Sequence, residues 1–358
     1  MRTTELTRHR SAAPGPSTAR PAEPAAARER LFEIALGGVT AQMLNVAATL
    51  GVADLLADGP MTGPELAQAT ATHAPSLLRV LRGLASLGVF SEDEAGRFGL
   101  TALSESLRSD VPGSFRVVPI YLAGEVYTVA GGLLPAVRTG ERAFDRTFQA
   151  SYFEYLGEHQ DAARVFNEAM TALGAAAENA AVAAAYDLSG ARSVVDVGGG
   201  HGALLAAILA ANPSVNGILF DQPGVEQSAR APLEAAGVAD RCTLVGGDFF
   251  QGVPAGSDIY LLKRIVHDWD DDRSVAILTQ CRRAMAPGGK VLIVEDLLPP
   301  GDAPSLGKLV DVVMMTLVPG RERTLAEYRR LLEQADFALS RVVPTASSKS
   351  IIEGSPVR

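Results

Sequence analysis

The run Gly198-Gly199-Gly200-His201-Gly202 follows the β-branched stretch "SVVDV" and opens a helical stretch over 202–211. A glycine turn between strand and helix lets backbone pass close to a ligand or adopt positive φ. Asp221 ends the next apolar run about twenty residues later, where an acid accepts hydrogen bonds from a ribose diol. Gly198, Gly200 and Ala203 also satisfy G-x-G-x-x-G/A. The loop by itself therefore suits NAD and S-adenosylmethionine alike, since both carry an adenosine ribose. Two further acids bear on the choice. Asp196 directly precedes the glycines, and Asp248 ends "CTLVGGD". Carboxylates at three successive strand tips repel a pyrophosphate and attract a sulfonium that also bears an ammonium. Singly, each Asp reads as well as a helix cap or a solvated loop residue.

A second chemistry-bearing group is His267, in "LLKRIVHDWDDD". A phenol with a pKa near 10 is a poor nucleophile while protonated. A histidine, ordinarily near 6.5, is the side chain suited to take its proton. Of the five histidines, His9 lies in the N-terminal tail, His73 in the first domain, His159 on a polar helical stretch and His201 in the glycine loop. His267 alone joins a strand-end position to nearby acids. Glu295, at the end of "KVLIVED", is sited to bond one ring nitrogen and stabilise an imidazolium. The plain alternatives are a helix N-terminus capped by Asp268 for His267 and a simple rim acid for Glu295. Trp269 follows the base and reads equally as a pocket wall or as packing beneath the loop.

These residues need an edge that gathers strand ends. From Ser193 onward, "SVVDV", "NGILFD", "CTLVGGD", "DIYLLKRIV" and "KVLIVED" alternate with helical stretches over 202–211, 225–236 and 272–286. That alternation predicts an α/β, Rossmann-like parallel sheet wrapped by helices. "FALSRVVPTASSKSIIEG" adds two strands at its edge. Ahead of the sheet, residues 113–190 read as mostly helical, Ala-rich towards their end and stopped by Gly190. They carry Tyr152, Phe153, Phe166 and Met170, which serve as core unless placed beside a site. Residues 28–112 show three helices and a hairpin. Thr62 and Glu65 are spaced as a capping box with Pro64 in the first turn, Gly88 stops the third helix, and "VFSEDEAGRFGL" forms the hairpin.

Three helices and a hairpin make an all-helical winged-helix pattern, which binds DNA in some proteins and packs or dimerises in others. Residues 28–100 hold eight acids against five arginines and no lysine. The whole chain of 358 residues carries a net charge of −9, and phosphate binding needs a basic face. Packing or dimerisation is the expected role, with no nucleic-acid partner. Cys242 and Cys281 are the only cysteines, too few for a disulfide framework. Residues 1–27 mix Pro, Ala, Arg, Ser and Thr without an apolar run. They read as a disordered tail rather than a signal peptide, with a transit peptide as the weaker alternative. A cytoplasmic protein without a membrane span is expected.

In order, "VVDVGGGHG", "FDQPGV", "GGDFF", "LLKRIVHDWDDD", "APGGKVLIVEDLLP" and "PGRERTLAEYRRLLEQADF" resemble the plant-type small-molecule O-methyltransferases and their bacterial relatives. That family includes caffeic acid and acetylserotonin O-methyltransferases and tailoring enzymes of bacterial aromatic natural products. The resemblance spans residues 30–355. It implies transfer of a methyl group from S-adenosylmethionine, leaving S-adenosylhomocysteine, to a hydroxyl of a small aromatic acceptor. It also implies a homodimer formed through the N-terminal module, and no metal. By position, Gly198 and Gly200 would line the methionine portion and Asp221 would hold the ribose. Asp248 and Phe249 would border adenine, and Lys263 would contact the cofactor. His267 would be the base, with Glu295 and Glu322 flanking it; nothing but the resemblance singles out Glu322. Phe166, Met170, Val313 and Met314 would line the acceptor pocket. Gln222 and Phe249 stand where the family often has Leu and Met. Val318 stands where plant members commonly keep an Asn, so plant substrate classes do not carry over. The same fold used for hydroxylation or decarboxylation, an NAD-dependent oxidoreductase, and a winged-helix regulator with a ligand-sensing domain are the competing readings.

Overall fold

The computed structural model describes residues 24–174 and 176–357. Most of the expected tail, with His9, lies outside the described residues, while residues 24–27 already belong to the helix Pro24–Ala35.

The N-terminal unit continues with helices Gly37–Thr49, Val52–Leu55, Gly63–Ala69 and Ala74–Ser86. Its strands are β1 (Met61–Thr62), β2 (Phe90–Glu92) and β3 (Arg97–Leu100), in the order β1-β3-β2. The Thr62/Glu65 capping box forms, so two otherwise unpaired amide donors are satisfied at the start of its helix. Leu77, Leu81 and Leu84 share one face of Ala74–Ser86 and bury it against Val52, Leu66, Phe90 and Phe98. Each such fully buried side chain contributes about 1.5–3 kcal/mol. The expected helical run over residues 29–57 breaks at Leu36 and at Gly51, whose φ is 66°.

Between residues 117 and 185 the chain is helical but repeatedly broken. The expected long helical stretch divides at His159 and around Gly174 into Tyr152–Glu158, Gln160–Leu173 and Ala176–Ala185. It ends five residues before Gly190. An apolar cluster joins Tyr121, Phe144, Tyr152 and Ala169 of this region to Met314, Leu317 and Val318. The helix Leu306–Leu317 thereby closes the helical region onto the sheet domain.

The sheet domain has strands β4 (Ser193–Val197), β5 (Asn216–Asp221), β6 (Cys242–Gly246), β7 (Ile259–Lys263), β8 (Lys290–Asp296), β9 (Phe337–Pro344) and β10 (Lys349–Pro356). Their order is β6-β5-β4-β7-β8-β10-β9. The first five run parallel, and β10 enters antiparallel between β8 and β9. Val194, Val195 and Val197 of β4 are all buried, as a strand covered on both faces requires. One face packs on Leu204, Leu205 and Leu209, the other on Ile277, Leu278, Leu331 and Leu332. The chain leaves β4 where the strand order reverses, the position at which open α/β sheets bind ligands. Among the described residues, no single helix is long and apolar enough to cross a membrane.

Candidate active site

The apolar run "DIYLLKRIV" is not one strand. β7 ends at Lys263, Arg264 takes a left-handed φ of 56°, and Val266–Asp268 form one 3-10 turn. This break turns His267 back towards β8. The next helix, Asp271–Ala284, is capped by Asp270, which accepts from the Arg273 amide, so Asp268 is free of that duty.

His267 is 8% exposed. Its Nδ1 lies 2.8 Å from Glu322 Oε1 and 3.6 Å from Glu295 Oε2, and its Nε2 lies 3.5 Å from Asp268 Oδ1. An ionised carboxylate only accepts, so Nδ1 donates to Glu322, and Nε2 offers a lone pair once the imidazolium has lost its other proton. Glu295 Oε1 accepts from the amides of Ile265, at 3.1 Å, and His267, at 3.5 Å. This carboxylate therefore holds the backbone of the turn as well as facing the ring. Burial by itself would lower the His267 pKa. Glu295, Asp268 and Glu322 together outweigh it and hold the imidazole up at about 9. Burial raises Glu295 to about 7 and Asp268 to about 6, in each case against the pull of His267. His267, Glu295 and Glu322 also present ligand atoms within 4.8 Å of one another, close enough for a metal ion. The 2.8 Å contact between Nδ1 and Oε1 is that of a hydrogen bond.

The glycine loop lies beside this turn. Gly198 has φ 72°, and a Cβ there would stand 2.4 Å from Ile265 Cδ1, two residues before the histidine. Gly200, at φ 53°, faces open space and donates to Asp221 Oδ2 at 2.8 Å. Asp221 Oδ1 accepts from the Gln222 amide. The three strand-tip carboxylates differ in burial. Asp196 is 2% exposed beneath the loop, its pKa pushed up to about 7 by burial and only partly offset by Lys263. Asp221 is half-buried and pins the loop; Asp248 is exposed and accepts from the Phe250 amide. Charge attraction thus rests on Asp221 and Asp248, while Asp196 offers a buried Oδ2 with no hydrogen-bond partner. Lys263 is held by Glu178 at 2.8 Å and Asn179 at 2.6 Å, and burial lowers its pKa.

Phe166 and Met170, on Gln160–Leu173, join Val313 and Met314 in the apolar cluster at the helical side of the site. Phe166 meets Tyr152 edge-on, with ring centres 5.6 Å apart. Trp269 does not merely pack beneath its loop. It stacks on Phe153 at 5.9 Å and meets Phe249 and Phe250 edge-on. It therefore links the aromatic helical region to the residues beyond β6. The other described histidines stand apart: His73 bonds Ser76, His159 stacks on Tyr155 and His201 bonds Thr171. The sequence reading missed Asp268 and Glu178. Asp268 was legible only as a cap, and Glu178 sits in an Ala-rich tract whose spacing carries no signal.

Comparison with known proteins identifies the family. A model of the O-methyltransferase domain matches residues 132–338, and one of the O-methyltransferase dimerisation domain matches residues 32–110. The phenazine O-methyltransferase PhzM of Lysobacter antibioticus is 49% identical over 327 residues, 91% of this chain and 96% of that protein. The crystal structure of LaPhzM superposes with a TM-score of 0.88 at 49% identity, covering 92% of this chain and 99% of that one. An O-methyltransferase from neocarzinostatin biosynthesis, NcsB1, solved with S-adenosylmethionine and 2-hydroxy-5-methyl naphthoic acid, gives 0.77 at 36% identity. There the coverage is 89% of this chain and 96% of that one.

Proposed function

The chain belongs to the O-methyltransferase family that joins a dimerisation domain to a methyl-transfer domain, and we propose that it moves the methyl group of S-adenosylmethionine to a ring hydroxyl of a flat aromatic metabolite, with His267 as general base. The observation that carries this reading is the buried His267 bonded through Nδ1 to Glu322 beside the glycine loop. The acceptor class follows from the aromatic and Met side chains near the base, and from relatives that act on a phenazine or bind a naphthoic acid. Met adapts its shape readily to a flat ring.

The residues present fit the cofactor. The open face at Gly200 leaves room for it, Asp221 is sited for ribose hydroxyls, and Asp196 Oδ2 is a buried acceptor suited to an ammonium. Phe249 and Asp248 would border adenine; Gln222 and Lys263 would lie at its margins. When bound, S-adenosylmethionine supplies a methyl group on a sulfonium, open to attack in line. The rest is the work of side chains. Nε2 of His267 takes the hydroxyl proton, and Glu322 and Glu295 stabilise the imidazolium that results. Phe166, Met170, Val313, Met314 and Trp269 hold the ring so that its oxygen is aligned, which can supply several kcal/mol. As part of the same proposal the protein is a cytoplasmic homodimer, with no nucleic-acid partner. Its units are residues 28–112 for dimerisation, 113–190 for the helical connector and 191–358 for cofactor binding.

The test is a screen of hydroxyphenazines, naphthols and hydroxyquinones with methyl-labelled S-adenosylmethionine, read by mass and NMR. Label on a ring oxygen is expected. Hydroxylated or decarboxylated products without label, or calorimetric binding of NADH and none of S-adenosylmethionine, would overturn the reading.

A further inference from the structure

Among the described residues, Arg323 is the largest fully buried side chain, at 0% exposure. Burying a guanidinium is costly unless its donors are met, and here, apart from a 3.3 Å contact of Nη1 with the Arg321 carbonyl, they go to one place. Nη1 donates to the Val266 carbonyl at 2.9 Å, and Nη2 to the Trp269 carbonyl at 2.8 Å. Nε and Nη2 both reach Asp271 Oδ1. The two carbonyls bracket His267 and Asp268. Arg323 immediately follows Glu322, which holds the His267 ring. The approach of the two segments is too close for any side chain at Gly320, where a Cβ would stand 1.8 Å from the His267 carbonyl oxygen. The carbonyl of Arg323 in turn accepts from Leu298, beyond the end of β8.

We infer that Arg323 is a positioning residue for the base: its planar guanidinium clamps the backbone on both sides of His267 while Glu322 fixes the ring. The adjacent pair sets the height and direction of Nε2 together. Lysine has one compact ammonium and cannot span both carbonyls and the carboxylate in this fork geometry. Ser274 Oγ lies at 3.2 Å and 3.3 Å from the same carbonyls. Its single proton can serve one of them at a time when the guanidinium is removed.

The inference rests on His267 being the base. R323A and R323K are compared with wild type by methyl-transfer kinetics, calorimetric titration of S-adenosylmethionine, and the pH dependence of kcat/KM. In both variants kcat is expected to fall at least tenfold. Cofactor affinity stays within about twofold, and the rising limb of the pH profile moves down towards the ordinary histidine range of about 6.5. Millimolar guanidinium, but not ammonium, restores part of the turnover of R323A. Unchanged kcat, or equal losses of kcat and cofactor affinity with an unmoved pH limb, overturns the clamp. Failure of both variants to fold also overturns it, because the residue is then needed for folding itself. If H267A is fully active, the reading of the base fails; if H267A is dead and R323A active, only the clamp does.

Discussion

At the scale of residues, the site stores several acids around one imidazole, and this couples activity to stability in opposite senses. His267 sits at about 9 when folded against about 6.5 when unfolded. Its favourable interactions are therefore complete below about 6.5 and are lost as pH rises through 9. Glu295 and Asp268 are also raised, to about 7 and 6, so the cost of folding them as anions builds up at lower pH, from about 4 until each folded pKa is passed. Thermal stability should decline from pH 6 to pH 9. The free enzyme's kcat/KM reports the deprotonated base, so it should rise across that window, with its half-point well above 6.5. In H267Q the decline in melting temperature should be shallower. Parallel pH profiles of melting temperature and kcat/KM check both halves. A stability maximum at pH 9, or a kinetic limb at 6, would sink this account of the charge balance.

At the scale of elements, the glycine loop and the 3-10 turn after β7 are packed on each other through Gly198 and Ile265. G198A adds a methyl group where only 2.4 Å separates the position from Ile265 Cδ1, on backbone that L-residues rarely adopt. Calorimetry should show cofactor affinity reduced at least tenfold, while circular dichroism stays that of the wild type. Unaltered affinity would mean that the loop does not form the cradle. The five parallel strands were legible in the sequence because β-branched runs alternating with helices have no other economical packing. β4, β5 and β8 begin and end at the expected residues. The extent of β7 was not legible, since Ile265 and Val266 continue the apolar run although Arg264 has turned left-handed. Asp196, Asp221 and Asp248 were visible as strand-tip acids, but not their unequal burial, which is set by the packing of the loop above Asp196. Glu322 lies on a distant segment. No local spacing could bring it to His267; the sheet order and the tight passage at Gly320 do so.

At the scale of the whole molecule, several large apolar side chains remain exposed. Leu31, Phe32, Ile34 and Val39 are each more than half exposed near the start of the segment matched by the dimerisation-domain model. Leu306, Leu309, Val312 and Met315 expose a further stripe on the helix whose other face carries Val313 and Met314 into the apolar cluster. Burial of such surface is worth about 25 cal/mol per Å² before the costs of association. Sedimentation velocity of the full chain should give a dimer, and F32D/I34D should shift it to monomer. A wild-type monomer, or a double variant that stays dimeric, would place the interface elsewhere.

We propose that His267, held by Glu322 and Glu295, takes the proton that makes the acceptor oxygen nucleophilic. The most direct test is single-turnover methyl transfer by H267A, measured with an acceptor that the wild type methylates, alongside calorimetric titration of S-adenosylmethionine. A loss of about 10²-fold or more in the transfer rate, the usual worth of a general base, with cofactor affinity unchanged, is the predicted result. Wild-type transfer by H267A would contradict it and leave alignment of the reactants as the whole of the catalysis.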